Sequence, residues 1–160
     1  MDPYKLIEIL DLKPHPEGGF YKETYRALST VEIDNSKIRN TSTAIYYLLL
    51  DDHKSHFHKV LSDEIWIYHQ GETIELYQID TKGALITHLL GNDIQNSEKP
   101  QIVIPKGDWF AAKIKKDIGY CLVSCIVAPG FEFEDFILAN QEDLIKQYPE
   151  YKGIISQMCL

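Results

Sequence analysis

Ser55-His56-Phe57-His58, followed by Asp63-Glu64-Ile65-Trp66 and closed by Gly71, is the stretch on which the reading of this chain turns. Side chains alternate between the two faces of a β-strand, so positions two apart share a face. His56 and His58 are therefore expected to point the same way, with a carboxylate on the strand that follows. Two imidazoles and an acid in one pocket are the raw material for metal binding or for proton transfer.

Outward from this stretch the pattern is one of short strands. Phe20 to Arg26 alternates and is rich in aromatic and β-favouring residues, Thr43 to Leu50 reads as a buried strand, and Glu64 to His69 as another. Gln70-Gly71-Glu72 and Thr81-Lys82-Gly83 are turns on either side of the strand Thr73 to Asp80, and Ala84 to Leu89 follows. Further strands are expected over Gln101 to Pro105, Trp109 to Lys115 and Tyr120 to Ala128. The ends differ. Tyr4, Leu6, Ile7 and Leu10 recur at helical spacing behind Asp2 and Pro3, which suit the cap and the first helical position. A second helix is expected from Asn140, with Leu144, Ile145 and Tyr148 as its apolar members, and a last short one after Pro149, over Tyr151 to Met158. Many strands with regular turns imply a closed or sandwiched all-β body. One domain spanning residues 1–160 is the simplest organisation.

Composition narrows the partners. A formal net charge of −8 without a basic patch argues against nucleic acid, whose phosphates need clustered Lys and Arg. No run of apolar residues is long enough to span a bilayer, and Met1-Asp2-Pro3-Tyr4-Lys5 lacks the layout of a secretory signal. Cys121, Cys125 and Cys159 do not form a disulfide framework, which points to a reduced cytoplasmic setting.

His56-x-His58, Glu64 and Gly71 resemble the first motif of the cupin superfamily, and Pro105-Lys106-Gly107 resembles the start of the second, with Phe110 where a ligand histidine belongs. The blocks from His15 to Arg26, Asp63 to Trp66, Leu90 to Asp93 and Val127 to Phe136 are similar to the small cupin branch described as predicted sugar epimerases. The resemblance implies an all-β cupin double-stranded β-helix (jelly roll) barrel with short N- and C-terminal helices, and a homodimer paired through N-terminal strands. It also implies a small polar ligand, such as a sugar or sugar derivative, held in the barrel. Gly18 to Glu23 is similar to an Arg-Gly-x-Phe-x-Glu segment of dTDP-sugar epimerases, which helps bind the nucleotide and crosses to a partner subunit. Gly18 replaces the arginine here, leaving Arg26 or Arg39 as the candidate positive charge.

Three function classes follow. The first is a metal-independent epimerase or isomerase, needing no cofactor, in which His58 or His56 is the base, Glu64 or Asp63 orients it, and Tyr68, Tyr47 or Tyr77 supplies the acid. The second is a non-catalytic binding module. The third is a dioxygenase-like enzyme with a divalent transition metal on His56, His58 and Glu64, the remaining position being lost to Phe110. His15, Glu17, Glu23, Arg26, Asp63 and Trp109 are the expected ligand contacts. Glu132, Glu134 and Asp135, alternating with phenylalanines, read as a half-buried edge with its charges in water.

Overall fold

A computed structural model describes residues 2–160; Met1, the first residue of the expected domain, lies outside them. In chain order the elements are α1 (Pro3–Leu10), β1 (Lys13–Pro14), β2 (Phe20–Arg26), β3 (Thr30–Ile33), β4 (Lys37–Asn40), β5 (Thr43–Leu50), β6 (Lys54–Val60) and β7 (Asp63–Gly71), then β8 (Ile74–Ile79), β9 (Leu85–Leu90), β10 (Gln101–Ile104), β11 (Trp109–Ile114), β12 (Tyr120–Ala128), β13 (Phe136–Leu138), α2 (Gln141–Gln147) and α3 (Lys152–Met158). One sheet runs β1-β2-β5-β12-β7-β10 and the facing sheet runs β13-β6-β11-β8-β9, while β3 and β4 form a separate hairpin. Neighbouring strands are antiparallel and the order crosses between sheets, which is the expected jelly roll. The hairpin at residues 30–40 and the short strands β1 and β13 were not expected from the sequence, whose alternation is weak there.

The continuous apolar run Tyr47-Leu48-Leu49-Leu50 in β5 is explained by burial on both faces. Tyr47 and Leu49 point between the sheets, into a core with Trp66, Ile74, Leu76, Phe110 and Val123. Leu48 and Leu50 point outward and are covered by Leu6 of α1, by Leu12 and by Leu122. The opposite sheet is clad in the same way, with Phe57, Ile79 and Ala111 packed under Leu144 of α2 and Ile155 and Met158 of α3. Asp2 accepts the N–H of Tyr4 and Pro3 opens α1, while Asn140 accepts the N–H of Asp143 to start α2.

The core fills only one end of the barrel. Along β5, β7 and β12, the residues Tyr47, Trp66 and Val123 face hydrocarbon, whereas Thr43, Ile45, Glu64, Cys125 and Val127 face a cavity of about 130 Å³ at the other end. Because Phe57 is fully buried beneath the C-terminal helices, Phe57→Ala is expected to destabilise the protein by about 3–5 kcal/mol. A urea unfolding curve measures this directly.

Candidate functional site

A bulge in β6 decides which imidazole enters the barrel. Phe110 pairs with His58, but Ala112 pairs with Ser55, so β6 carries one extra residue across this interval. The extra residue resets the alternation. Ser55 and His58 both face the interior, Phe57 faces the helices, and His56 turns to the rim beside an outer groove lined by Phe20 and His53. The expected pairing of His56 and His58 on one face is therefore overturned: only His58 lines the cavity.

His56 instead holds a loop. Its backbone N–H and its Nδ1 both meet the carbonyl oxygen of Glu17, at 2.8 Å and 2.7 Å. Gly18 makes the close approach possible. It has φ +110°, and a Cβ there would lie 2.0 Å from the Lys54 carbonyl oxygen. Tyr47 Oη donates to the Gly18 carbonyl at 2.7 Å. These contacts drive the side chain of Glu17 into the barrel, where it is only 6% exposed. Ser55 Oγ donates to Glu17 Oε1 at 2.8 Å, and His58 Nε2 lies 3.1 Å from Oε2.

The protons on these groups follow from their partners. His58 Nδ1 is 2.8 Å from the His56 carbonyl oxygen, which can only accept, so Nδ1 carries hydrogen. In neutral His58, Nε2 is then a bare lone pair facing Glu17. A contact of 3.1 Å between it and a carboxyl oxygen requires one proton between the two. Burial lowers the His58 pKa to about 4 and raises that of Glu17, so a proton shared across this contact sits on Glu17 and not on the imidazole. His15 Nδ1 accepts the backbone N–H of Glu17 at 3.2 Å, which places the hydrogen of neutral His15 on Nε2.

Glu64 enters from the facing sheet, on β7. Burial raises its pKa to about 8, the nearby Glu17 adds to the rise, and Cys125 and the Trp66 indole act weakly in the opposite sense. Trp66 Nε1 nevertheless has no hydrogen-bond partner of good geometry among the described residues. Cys125 also lines the cavity, and burial next to Glu64 holds its thiol well above the usual range. Burial thus disfavours charge on Glu17, Glu64 and His58 alike. The remaining wall of the cavity is largely apolar, from Ile45, Val60, Val127 and Phe131.

Arg26 spans the mouth. It ion-pairs with Glu23 at 2.8 Å and with Glu132 at 2.6 Å, and the segment carrying Glu132 brings Phe131 and Phe133 over the opening. The reading of Glu132, Glu134 and Asp135 as charges left in water is overturned at Asp135, while Glu132 stays partly exposed. Glu132 lines the cavity, and Asp135 is buried on Arg39, with Nε 2.6 Å from Oδ2. That ion pair occupies Arg39 away from the cavity.

His15, Glu17, Glu23, Arg26, His58 and Glu64 are thus brought together, whereas four other expected site residues lie elsewhere. His56 is on the rim. Tyr68 Oη donates to the Gly71 carbonyl at 2.6 Å, because its strand carries it to the hydrocarbon end. Asp63 Oδ1 accepts the backbone N–H of Lys106 on the exterior. Trp109 lies on the outer face, with Lys59 Nζ 4.6 Å from its ring centre. Tyr47, of the alternative tyrosines, is next to Glu17, while Tyr77 Oη is held by Glu75 on the outer side. Sequence reasoning missed Ser55 and Tyr21, whose only signal was position beside His56 and in β2, and Cys125, which was weighed only as half of a disulfide.

The residues do not fit the metal centre that motif one suggested. His56 is turned away by the bulge, Phe110 fills the remaining ligand position with its ring centre 4.1 Å from that of His58, and both His58 nitrogens are engaged by the His56 carbonyl and Glu17. No three His, Cys, Asp or Glu side chains among the described residues converge as ligands.

With this geometry in place, comparison with known proteins is informative. Residues 4–139 match the family described as Cupin superfamily (DUF985). The chain belongs to the cupin superfamily. It is 34% identical over 157 residues to the uncharacterized protein YML079W of Saccharomyces cerevisiae, covering 89% of this chain and 77% of that one. A solved protein from Shewanella oneidensis is 36% identical with TM-score 0.92, covering 100% of this chain and 98% of the other. A hypothetical protein from Leishmania major is 34% identical with TM-score 0.91, covering 98% and 97%. The cupin fold alone is shared with oxalate decarboxylase from Bacillus subtilis, at 14% identity and TM-score 0.58 over 93% of this chain and 37% of that one.

The buried acids make this cupin's stability depend on pH in a defined direction. Glu64 titrates near 8 when folded against an ordinary value of 4.5, so the folded state holds the extra proton between them and stability falls as pH rises through that window. His58, lowered from 6.5 to about 4, works oppositely, raising stability with pH up to 6.5. Above 6.5 only the fall remains. Urea unfolding from pH 6.5 to 8.5 is expected to show a declining stability, and Glu64→Gln to remove up to about 1.4 kcal/mol per pH unit of that slope.

Proposed function

We propose that this cupin is a metal-independent isomerase that moves a proton beside the carbonyl group of a small polar ligand, a sugar or sugar derivative, held in the barrel. The observation that supports this is the meeting of two acid–base centres in one cavity: the Glu17–His58 pair, and Glu64 from the facing sheet. A proton transferred beside a carbonyl needs a base on one face of the carbon and an acid on the other. Both carboxyls have pKa values raised toward neutrality, where such groups work best.

In this reading the reactive form is the one in which the pair has released its shared proton. The Glu17 carboxylate takes the C–H proton, and the electrons move onto the carbonyl oxygen. Glu64 then gives its proton to the opposite face of the carbon as the carbonyl reforms. The product leaves with Glu17 protonated and Glu64 ionised, and exchange with water resets both. His58 Nε2 faces the carboxyl and accepts from it once Glu17 has taken the proton, so the base is the pair and not an imidazole alone. Ser55 and His56 fix the orientation of the carboxyl and of its loop.

The test is proton exchange in D2O with unphosphorylated aldoses and ketoses, followed by NMR. Deuterium is expected at the carbon beside the carbonyl, and Glu17→Gln or Glu64→Gln is expected to slow its entry about 10²- to 10⁴-fold. Absence of exchange across the panel would overturn the reading. The largely apolar wall and Phe110 support a second one, a binding module without turnover. It gives ligand-dependent thermal stabilisation with no exchange.

The expected homodimer belongs to the same proposal. Beyond Tyr21, the outer edge of β2 is not paired by β1, leaving Lys22 to Arg26 free to add a strand from a second copy. Sedimentation equilibrium is expected to give twice the mass of 18.5 kDa. A Thr24→Pro substitution, at the bulge in that strand, is expected to distort the edge and shift the protein toward monomer. Three free cysteines, two of them buried, support a reducing cytoplasmic location.

A further inference from the structure

Arg26 is the only lysine or arginine lining the cavity among the described residues. An arginine at the mouth of a sugar-sized pocket would ordinarily be read as an anchor for a phosphate or carboxylate. The hydrogen bonds argue otherwise. A guanidinium has five N–H donors, and here all five are taken. Nε and Nη2 donate to the two oxygens of Glu23 at 2.9 and 2.8 Å. Nη1 donates to Glu132 Oε1 at 2.6 Å and to Asn40 Oδ1 at 2.9 Å. The second Nη2 hydrogen goes to the Phe131 carbonyl at 3.1 Å. Two carboxylates surround one cation, so the mouth is net negative. Deeper in, Glu17 and Glu64 would become anions if they lost their protons, and no cation faces them.

We propose that Glu23 and Glu132 form a charge filter that makes the cavity select uncharged ligands. Sugar phosphates, nucleotide sugars and sugar acids are excluded because Arg26 has no donor to offer them and the two carboxylates repel them. The volume of about 130 Å³ agrees with this, since it is small beside ordinary ligand pockets and favours a compact ligand over a nucleotide. The inference rests on the cavity being a ligand site. It does not depend on proton transfer.

The test compares two probes of similar size, uncharged hydroxyacetone and anionic pyruvate, titrated into the full-length protein and followed by ¹⁵N–¹H NMR at the cavity residues. Hydroxyacetone is expected to perturb the amides around His15 and Glu17, with pyruvate at least about fivefold weaker. Glu132→Gln removes one carboxylate and is expected to strengthen pyruvate about fivefold while leaving hydroxyacetone within twofold, the size of effect that one partly exposed charge produces. Both glutamates are partly exposed, at 43% for Glu132 and 40% for Glu23, so neither exchange opens the core. Glu23→Gln is the second variant, expected to act in the same direction should Glu132→Gln not fold. Pyruvate binding the unaltered protein as tightly as hydroxyacetone would overturn the filter. So would an unchanged ratio in both variants, or no perturbation by either probe. The D2O experiment reads proton transfer and this titration reads selectivity, so either can fail while the other stands.

Discussion

A carboxyl buried against an imidazole, with burial disfavouring charge on both, is the constraint around which this molecule is arranged. Removing Glu17 from water is costly unless its oxygens are satisfied and its charge is suppressed. The surrounding chain does both. Ser55 supplies a hydroxyl, His58 supplies a lone pair whose orientation is fixed by its own backbone bond, and His56 and Tyr47 hold the loop that carries the acid. The partners that β6 supplies depend on the bulge in that strand. Without the extra residue, Ser55 and His58 would lie on opposite faces, and the carboxyl would enter the barrel with half its partners missing.

The same bulge explains how the fold and the chemistry part company. A cupin scaffold is preserved in sheet order and barrel shape, yet the second imidazole of motif one serves the wall and not the interior. Its place beside His58 is taken by an oxygen from the N-terminal loop. Phe110 completes the change by packing an aromatic ring where another ligand would have been. The cavity is consequently an acid–base environment with largely apolar walls.

Most of the architecture was legible in the sequence because strand alternation and turn residues are local signals. Phe20 to Arg26, Thr43 to Leu50 and Tyr120 to Ala128 occupy the expected positions, and the terminal helices begin where Asp2 and Asn140 cap them. The site was legible only in part. Glu17, Glu23, Arg26, His15, His58 and Glu64 converge on one cavity. His56 and Tyr68 were misplaced for one reason: period-two reasoning assigns a face but registers neither a bulge nor the end of the barrel to which a residue belongs. Trp109 was drawn to the pocket by its aromatic surface, whereas the helices on the outer face needed that surface as much. Asp135 was read as solvated because its partner, Arg39, stands roughly a hundred positions earlier in the chain.

The acid that faces His58 is delivered by the turn at residues 15–19 and not by the barrel wall. Strand positions are tied into ladders, so replacing a catalytic side chain there risks the pairing on both sides. A turn pinned at its ends carries no such burden. A different group could therefore be presented to the cavity by rewriting a handful of residues in this turn, with the hydrogen-bonded frame of the barrel left unchanged. Diversification of chemistry is in this way uncoupled from the risk of misfolding.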